Sequence, residues 1–231
     1  VPEGPEIARE ADRIRAALQG APVERVWFAF PELRRRAERF AGARVESVRA
    51  RGKALLIGFD NALTIYSHNQ LYGRWYVREI GSKPRTNRQL RMAIETARHQ
   101  ALLYSASEID VLDAADLVEH PYLSKLGPDA LDPDVDASVL YARLSEPRFA
   151  RRSLAALLLD QSFVAGIGNY LRSEILFEAG VHPERRPGDL TTGERRRVAN
   201  AIGRLARRAY EHRGVTFPPA RARALQRRGV S

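Results

Sequence analysis

Apolar residues at Ile7, Ala11, Ile14 and Leu18 recur every three or four positions from Pro5 onward, and Gly20 followed by Pro22 ends the run. That period puts one apolar stripe on a single face of a helix. Further along, the period changes. Segments 23–30, 45–50, 54–59, 63–67, 74–78, 90–96 and 101–104 are short, rich in β-branched or aromatic residues, and separated by Gly, Asn, Asp or Pro. Such spacing predicts antiparallel strands packed as a sandwich.

From Gly127-Pro128-Asp129 to Pro133-Asp134 the texture becomes turn-rich, and helical patterns follow at 136–144, 153–159, 169–178 and 192–210. Thr191 and Glu194 have capping-box spacing for the last of these. The expected class is therefore α+β: an N-terminal antiparallel β-sandwich with an N-terminal helix over residues 1–126, a helical domain over 127–214, and a basic tail over 215–231.

With 231 residues and 44% apolar content, the chain can bury one large core or two modest ones. No stretch is apolar for long enough to span a bilayer, and the start has no signal-peptide pattern, so a cytoplasmic location without membrane contact is expected. Cysteine is absent, which removes disulfides and thiolate-held zinc. The five histidines, His68, His99, His120, His182 and His212, lack metal-ligand spacing; no metal and no cofactor is expected. The net charge is +10, and residues 185–231 carry thirteen arginines against Asp189, Glu194 and Glu211. The whole excess thus lies in the last fifth of the chain. A polyanionic partner follows, nucleic acid before an anionic membrane, with a solvated basic face as the alternative.

The start, Val1-Pro2-Glu3-Gly4-Pro5-Glu6, sets a proline beside a carboxylate. A free N-terminal proline amine titrates near roughly 7.7 to 8.0, so part of it is neutral and nucleophilic at physiological pH. Attack on a carbonyl-equivalent carbon gives a cationic iminium, an electron sink suited to elimination on a sugar, and Glu3 is close enough to exchange protons with the reacting ring. An amide to Val1 would abolish that nucleophile. Val1 is accordingly read as a valine-type start codon translated literally, with initiator methionine inserted and trimmed. The alternative is that Pro2 and Pro5 only shape a helix start.

Three internal segments add to this. Lys53 follows Gly52 between two predicted strands and is one of only three lysines among 38 basic residues, which suits a point-charge contact to phosphate or a solvated turn. Segment 67–73 joins two strands and carries Gln70, Leu71 and Tyr72, side chains able to fill the space left by a nucleotide extruded from duplex DNA, or to fold back on the sandwich edge. Gly166 and Gly168, followed by Asn169 at a helix start, make either an anion site or a plain tight turn.

Together, Pro2-Glu3-Gly4-Pro5-Glu6, Arg51-Gly52-Lys53, segment 67–73 and Gly166-Ile167-Gly168-Asn169-Tyr170 resemble the formamidopyrimidine-DNA glycosylase and endonuclease VIII family; segments 26–31, 66–73 and 102–107 resemble its endonuclease VIII branch. The resemblance implies a β-sandwich, a helical domain with a helix-two-turn-helix, and duplex DNA with oxidised or abasic nucleotides held between them by a monomer. It implies Pro2 as the nucleophile at C1′, Glu3 as the acid that opens the sugar, and Lys53 on the phosphate beside the lesion. Gln70, Leu71 and Tyr72 would fill the stack, Gly168 and Asn169 would hold the backbone, and Glu6 and Glu174 would support. Base release followed by β,δ-elimination at oxidised pyrimidines is the implied reaction. One departure stands out: the family's C-terminal zinc finger has four cysteines, and this chain has none. Truncation, replacement of the finger by the basic tail, and a catalytically weakened relative that binds damaged or gapped DNA all remain open. A helix-two-turn-helix RNA or ribosome binder is a third class, at odds with the intact N-terminal motif.

Overall fold

The computed structural model describes residues 2–217 and Arg227. The chain opens with α1 (Gly4–Leu18), whose Ile7, Ala11, Ile14 and Leu18 are buried as the period requires. Among the described residues eight strands follow: β1 (Val23–Phe28), β2 (Val45–Arg51), β3 (Ala54–Phe59), β4 (Thr64–His68), β5 (Arg74–Glu79), β6 (Leu90–Thr96), β7 (His99–Tyr104) and β8 (Glu108–Leu112). They form two four-stranded antiparallel sheets, ordered β1-β6-β7-β5 and β2-β3-β4-β8. One core, running from Ile7 to Val111, fills the space between the sheets and the inner face of α1. Phe28, Phe40 and Phe59 lie in it as tilted ring pairs, the arrangement the ring quadrupole favours.

The helices are α2 (Pro31–Arg34), α3 (Ala114–Glu119), α4 (Ala137–Ser145), α5 (Leu154–Leu157), α6 (Asn169–Ala179) and α7 (Thr192–Glu211). A second core, from Ala130 to Ala209, lies among α4 to α7. Thr191 and Glu194 close the expected capping box on α7. Helix α6 stops at Gly180, whose left-handed backbone (φ +63°) only glycine adopts without strain. Among the described residues no helix is long and apolar enough to cross a membrane.

Three elements escape the sequence pattern, the four-residue helix α2 among them. Strand β8 has only five residues, and Glu108 and Asp110 within it read as turn chemistry. It pairs with β4 from Thr64↔Leu112 to His68↔Glu108 as a sheet edge, where charge is tolerated and deters further pairing. Helix α3 buries none of its residues, so no apolar period announces it; the capping box of Asp113 and Asp116 starts it instead. The helix expected at 153–159 is shorter, a single turn ending at Leu157. The chain then turns through residues 158–168, which delivers two glycines to the first domain.

Candidate active site

The two halves meet at the start of α1. The Gly4 N–H donates to the Gly166 carbonyl at 2.8 Å, and a Cβ on Gly4 would lie 2.9 Å from Gly166 Cα. Backbone approaches backbone here, which requires glycine. Gln161 shapes the turn that makes this possible: its Oε1 accepts the Gly166 N–H at 3.0 Å, and its Nε2 donates to the carbonyls of Leu159 and Ile167.

Glu3 is 3% exposed. One carboxylate oxygen accepts the N–H groups of Gly168 at 2.6 Å and Leu171 at 3.3 Å, and the other accepts that of Tyr170 at 2.9 Å. These are donors that the first turn of α6 leaves without intrahelical partners. The glycine-flanked helix start is therefore an anion site, as the sequence suggested, and its anion is the protein's own Glu3. This corrects the expectation for Gly168. Its missing side chain makes room for Glu3, since a Cβ there would sit 2.3 Å from Glu3 Cδ, and its N–H is engaged by Glu3 rather than offered to a phosphate. Asn169, the first residue of α6, is exposed beside this contact.

Burial raises the Glu3 carboxyl above its ordinary value, opposed by the three N–H groups and by Lys53. Burial lowers the Lys53 ammonium, and the opposite charge of Glu3 holds it up. The turn carrying Lys53 is fixed from both domains, by Tyr122 of the first and Asp129 of the second. Gly52, at φ +61°, donates its N–H to Asp129 Oδ2 at 2.6 Å, and the Lys53 N–H donates to the Tyr122 hydroxyl at 2.9 Å. A Cβ at Gly52 would lie 2.8 Å from that hydroxyl. Burial raises the Asp129 carboxyl and pushes the Tyr122 hydroxyl up to about 12, so the phenol remains protonated at neutral pH.

Glu6 closes the base of the site. Its Oε2 accepts the Glu3 N–H at 2.9 Å, and its carboxylate receives the Tyr170 hydroxyl at 3.1 Å. Glu174 lies elsewhere on α6, where its Oε2 accepts the Thr216 hydroxyl at 3.0 Å. The loop between β4 and β5 crosses from one sheet to the other and leaves Gln70, Leu71 and Tyr72 exposed; Leu71 is 55% and Tyr72 64% accessible, so neither folds back on the sandwich. Gln70 has a positive φ of 50°, and its amide is held from both ends by Glu108 at 3.0 Å and Ser107 at 2.6 Å.

Pro2, Glu3, Lys53 and Glu6 thus belong to one constellation, with Asn169 at its rim, while the Gln70-Leu71-Tyr72 tip stands on a separate loop. Sequence reasoning missed Tyr122, Asp129, Gln161 and Glu108. Asp129 was visible only as part of a turn-rich joint, and nothing local marks the other three. Of the basic tail, only residues 215–217 and Arg227 are described; Arg221, Arg223 and Arg228 lie outside the described residues, as does Val1.

Comparison with known proteins bears on this arrangement. Residues 1–107 match the formamidopyrimidine-DNA glycosylase N-terminal domain, and residues 126–218 match the formamidopyrimidine-DNA glycosylase H2TH domain. Endonuclease 8 of Escherichia coli O6:K15:H31 (strain 536 / UPEC) is 48% identical over 214 residues, covering 93% of this chain and 81% of that relative. Endonuclease 8 of Shigella flexneri serotype 5b (strain 8401) matches to the same extent, 48% over 214 residues. The fold is shared with Lactococcus lactis Fpg, solved as a complex with abasic-site-containing DNA, at a TM-score of 0.79 and 19% identity over 94% of this chain and 81% of that one. With 48% identity extending over 93% of its length, the chain belongs to the formamidopyrimidine-DNA glycosylase and endonuclease VIII family, in the endonuclease VIII branch.

Proposed function

We propose that this protein is a base-excision-repair DNA glycosylase and AP lyase that removes oxidised pyrimidines through a Schiff base on Pro2. The observation that carries this reading is the burial of Glu3 against the start of α6, beside Lys53 and directly after Pro2. A carboxyl raised by burial holds a proton to higher pH than a surface glutamate does, which suits a general acid.

Once Val1 is absent, the neutral Pro2 amine attacks C1′ of the extruded nucleotide. Glu3 delivers its proton to the ring oxygen and the sugar opens, while the base leaves with the electrons of its glycosidic bond and takes up the proton given up by the Pro2 nitrogen, leaving a Pro2–C1′ iminium. The iminium then acidifies C2′, and loss of that proton expels the 3′ phosphate. A second elimination expels the 5′ phosphate, and water hydrolyses the remaining iminium to free Pro2. A one-nucleotide gap flanked by phosphates results. Lys53, half-buried and positive, holds the phosphate beside the lesion, Asn169 holds the backbone, and Leu71 and Tyr72 fill the vacated stack. With no cysteine in the 231 residues, the family's four-thiolate zinc site has no ligands here, and none of these steps passes through zinc.

Borohydride reduction tests the reading. Protein beginning at Pro2 should give a covalent adduct with duplex DNA carrying an abasic site, Pro2→Gly should give little, and protein retaining Val1 should give none. If a free Pro2 yields no adduct even at large enzyme excess, the chain is instead a relative that binds damaged or gapped DNA without turning it over.

Salt dependence tests the phosphate contacts separately. Lys53→Ala should lower the slope of log affinity against log salt by roughly 0.9, the loss expected for one released counterion. Asn169→Ala removes a positioned hydrogen bond but no charge, so it should weaken binding and leave that slope unchanged. Equal slopes for the two variants would place Lys53 away from phosphate.

A further inference from the structure

An exposed apolar tip that must push into stacked DNA has no packing of its own to resist displacement, so the loop carrying Gln70, Leu71 and Tyr72 has to be held at its base. There, Asn69 is 2% exposed and its carbonyl accepts the Gly73 N–H at 2.7 Å. A Cβ on Gly73 would lie 2.5 Å from that carbonyl oxygen. The Asn69 side chain donates from Nδ2 to Glu10 Oε2 at 2.7 Å. Asn69 Oδ1 has no protein partner, so the Glu10 bond alone fixes that side chain among the described residues.

Glu10 stands on α1, one helical turn beyond Glu6 and two beyond Glu3, and its side chain is 12% exposed. The charged groups around it are Glu6, Arg9 and Arg13 from its own helix and Arg74 and Arg78 from β5, with Arg13 at 3.8 Å. Burial outweighs those arginines and pushes the Glu10 carboxyl up to about 7. A carboxyl kept in so costly a place, bonded to the buried base of one loop, has little use in folding, where an apolar residue would pack better.

We propose that Glu10 is a positioning residue that clasps the Gln70-Leu71-Tyr72 loop to the helix bearing Pro2 and Glu3, keeping the stack-filling tip at a fixed separation from the reacting amine. This rests on the functional reading above. The clasp matters only where there is a base stack to enter, and it is strongest with Glu10 ionised, because a charged acceptor bonds about twice as strongly as a neutral one.

The test compares wild type, Glu10→Ala and Glu10→Gln on an abasic site in duplex and in single-stranded DNA. In parallel, the fluorescence of 2-aminopurine placed opposite a tetrahydrofuran abasic analogue reports insertion of the tip without any chemistry. Glu10→Ala should lose roughly 10- to 100-fold in kcat on the duplex, the scale of a small misplacement, with KM little changed and single-stranded cleavage within about twofold of wild type. Glu10→Gln keeps a neutral acceptor for Asn69, so its 2-aminopurine response should be flat from pH 8 to pH 6, and wild type should fall to that level as pH drops through 7. Equal loss on both DNA forms, no loss on the duplex, or a wild-type response as flat as that of Glu10→Gln would overturn the clasp. If Glu10→Ala fails to fold, the Glu10→Gln comparison decides alone. A wild type that cleaves neither DNA but shows the pH-dependent response would remove the catalytic reading and leave the clasp standing.

Discussion

Glu3→Gln is expected to lose base excision by roughly 100- to 10,000-fold, the range for a general acid, while retaining most of its activity on a pre-formed abasic site. Opening a sugar that still carries its base needs a proton from Glu3. An abasic sugar exposes its aldehyde by spontaneous ring opening, and Pro2 can then form the iminium without that proton. The substitution is conservative for the fold. The glutamine oxygen can still accept from Gly168 and Leu171, although its amide group faces the Tyr170 N–H and repels it. The pH dependence has a definite sign. Because burial raises the Glu3 carboxyl above its ordinary value, its contribution to stability is fully present below that value and is lost as pH rises through the folded one. Excision limited by protonated Glu3 should fall over the same window, and Glu3→Gln should remove that limb of the stability profile. Parallel rates of excision and abasic cleavage, measured on the same duplex, check the split. Equal losses in both would make Glu3 a helix cap rather than the acid.

Gly168→Ala should be as damaging as removing Glu3 itself, although the new methyl group is small. Gly168 has an ordinary negative φ of −128°, so alanine meets no backbone strain there. The obstacle is the Glu3 carboxyl, 2.3 Å from where the Cβ would stand. A free side chain could swing aside cheaply, but this one is held by three N–H groups and moving it leaves the first turn of α6 uncapped. A buried N–H left without its acceptor costs about 1 to 3 kcal/mol, so a loss of about 2 to 4 kcal/mol in stability is expected even with partial rescue by water. Unlike Glu3→Gln, it should also impair abasic-site cleavage, because displacing Glu3 displaces Pro2 beside it. A double-mutant cycle isolates the cause: in a Glu3→Gly background, Gly168→Ala should have almost no further effect on melting temperature or rate. Additive losses would mean that Gly168 acts independently of Glu3.

Elements whose side chains repeat with a period are legible in the chain itself. Ile7, Ala11, Ile14 and Leu18 specify α1, the short β-branched runs specify seven of the eight strands, and Thr191 with Glu194 fixes the start of α7. Each of these signals is local, because one buried face or one cap is enough to favour the element. Gly52 and Lys53 likewise read as a turn, because only two residues separate β2 from β3. The family likeness was also legible, since the motifs that carry chemistry are contiguous and keep their order.

What those motifs touch is settled by packing between distant segments. Glu3 caps a helix 165 positions away in sequence, Asp129 and Tyr122 fix the Lys53 turn across 77 and 69 positions, and Glu10 reaches Asn69 across 59. The packing of the two cores sets Glu3 against the start of α6 and Asp129 against Gly52, and packing within the first domain sets Tyr122 against Lys53 and Glu10 against Asn69, so no local pattern encodes these contacts. For the same reason Gly168 reads from sequence as a place for a phosphate. A glycine before a helix declares that something anionic can approach, and only the meeting of the chain's start with the start of α6 decides that it is the Glu3 carboxylate.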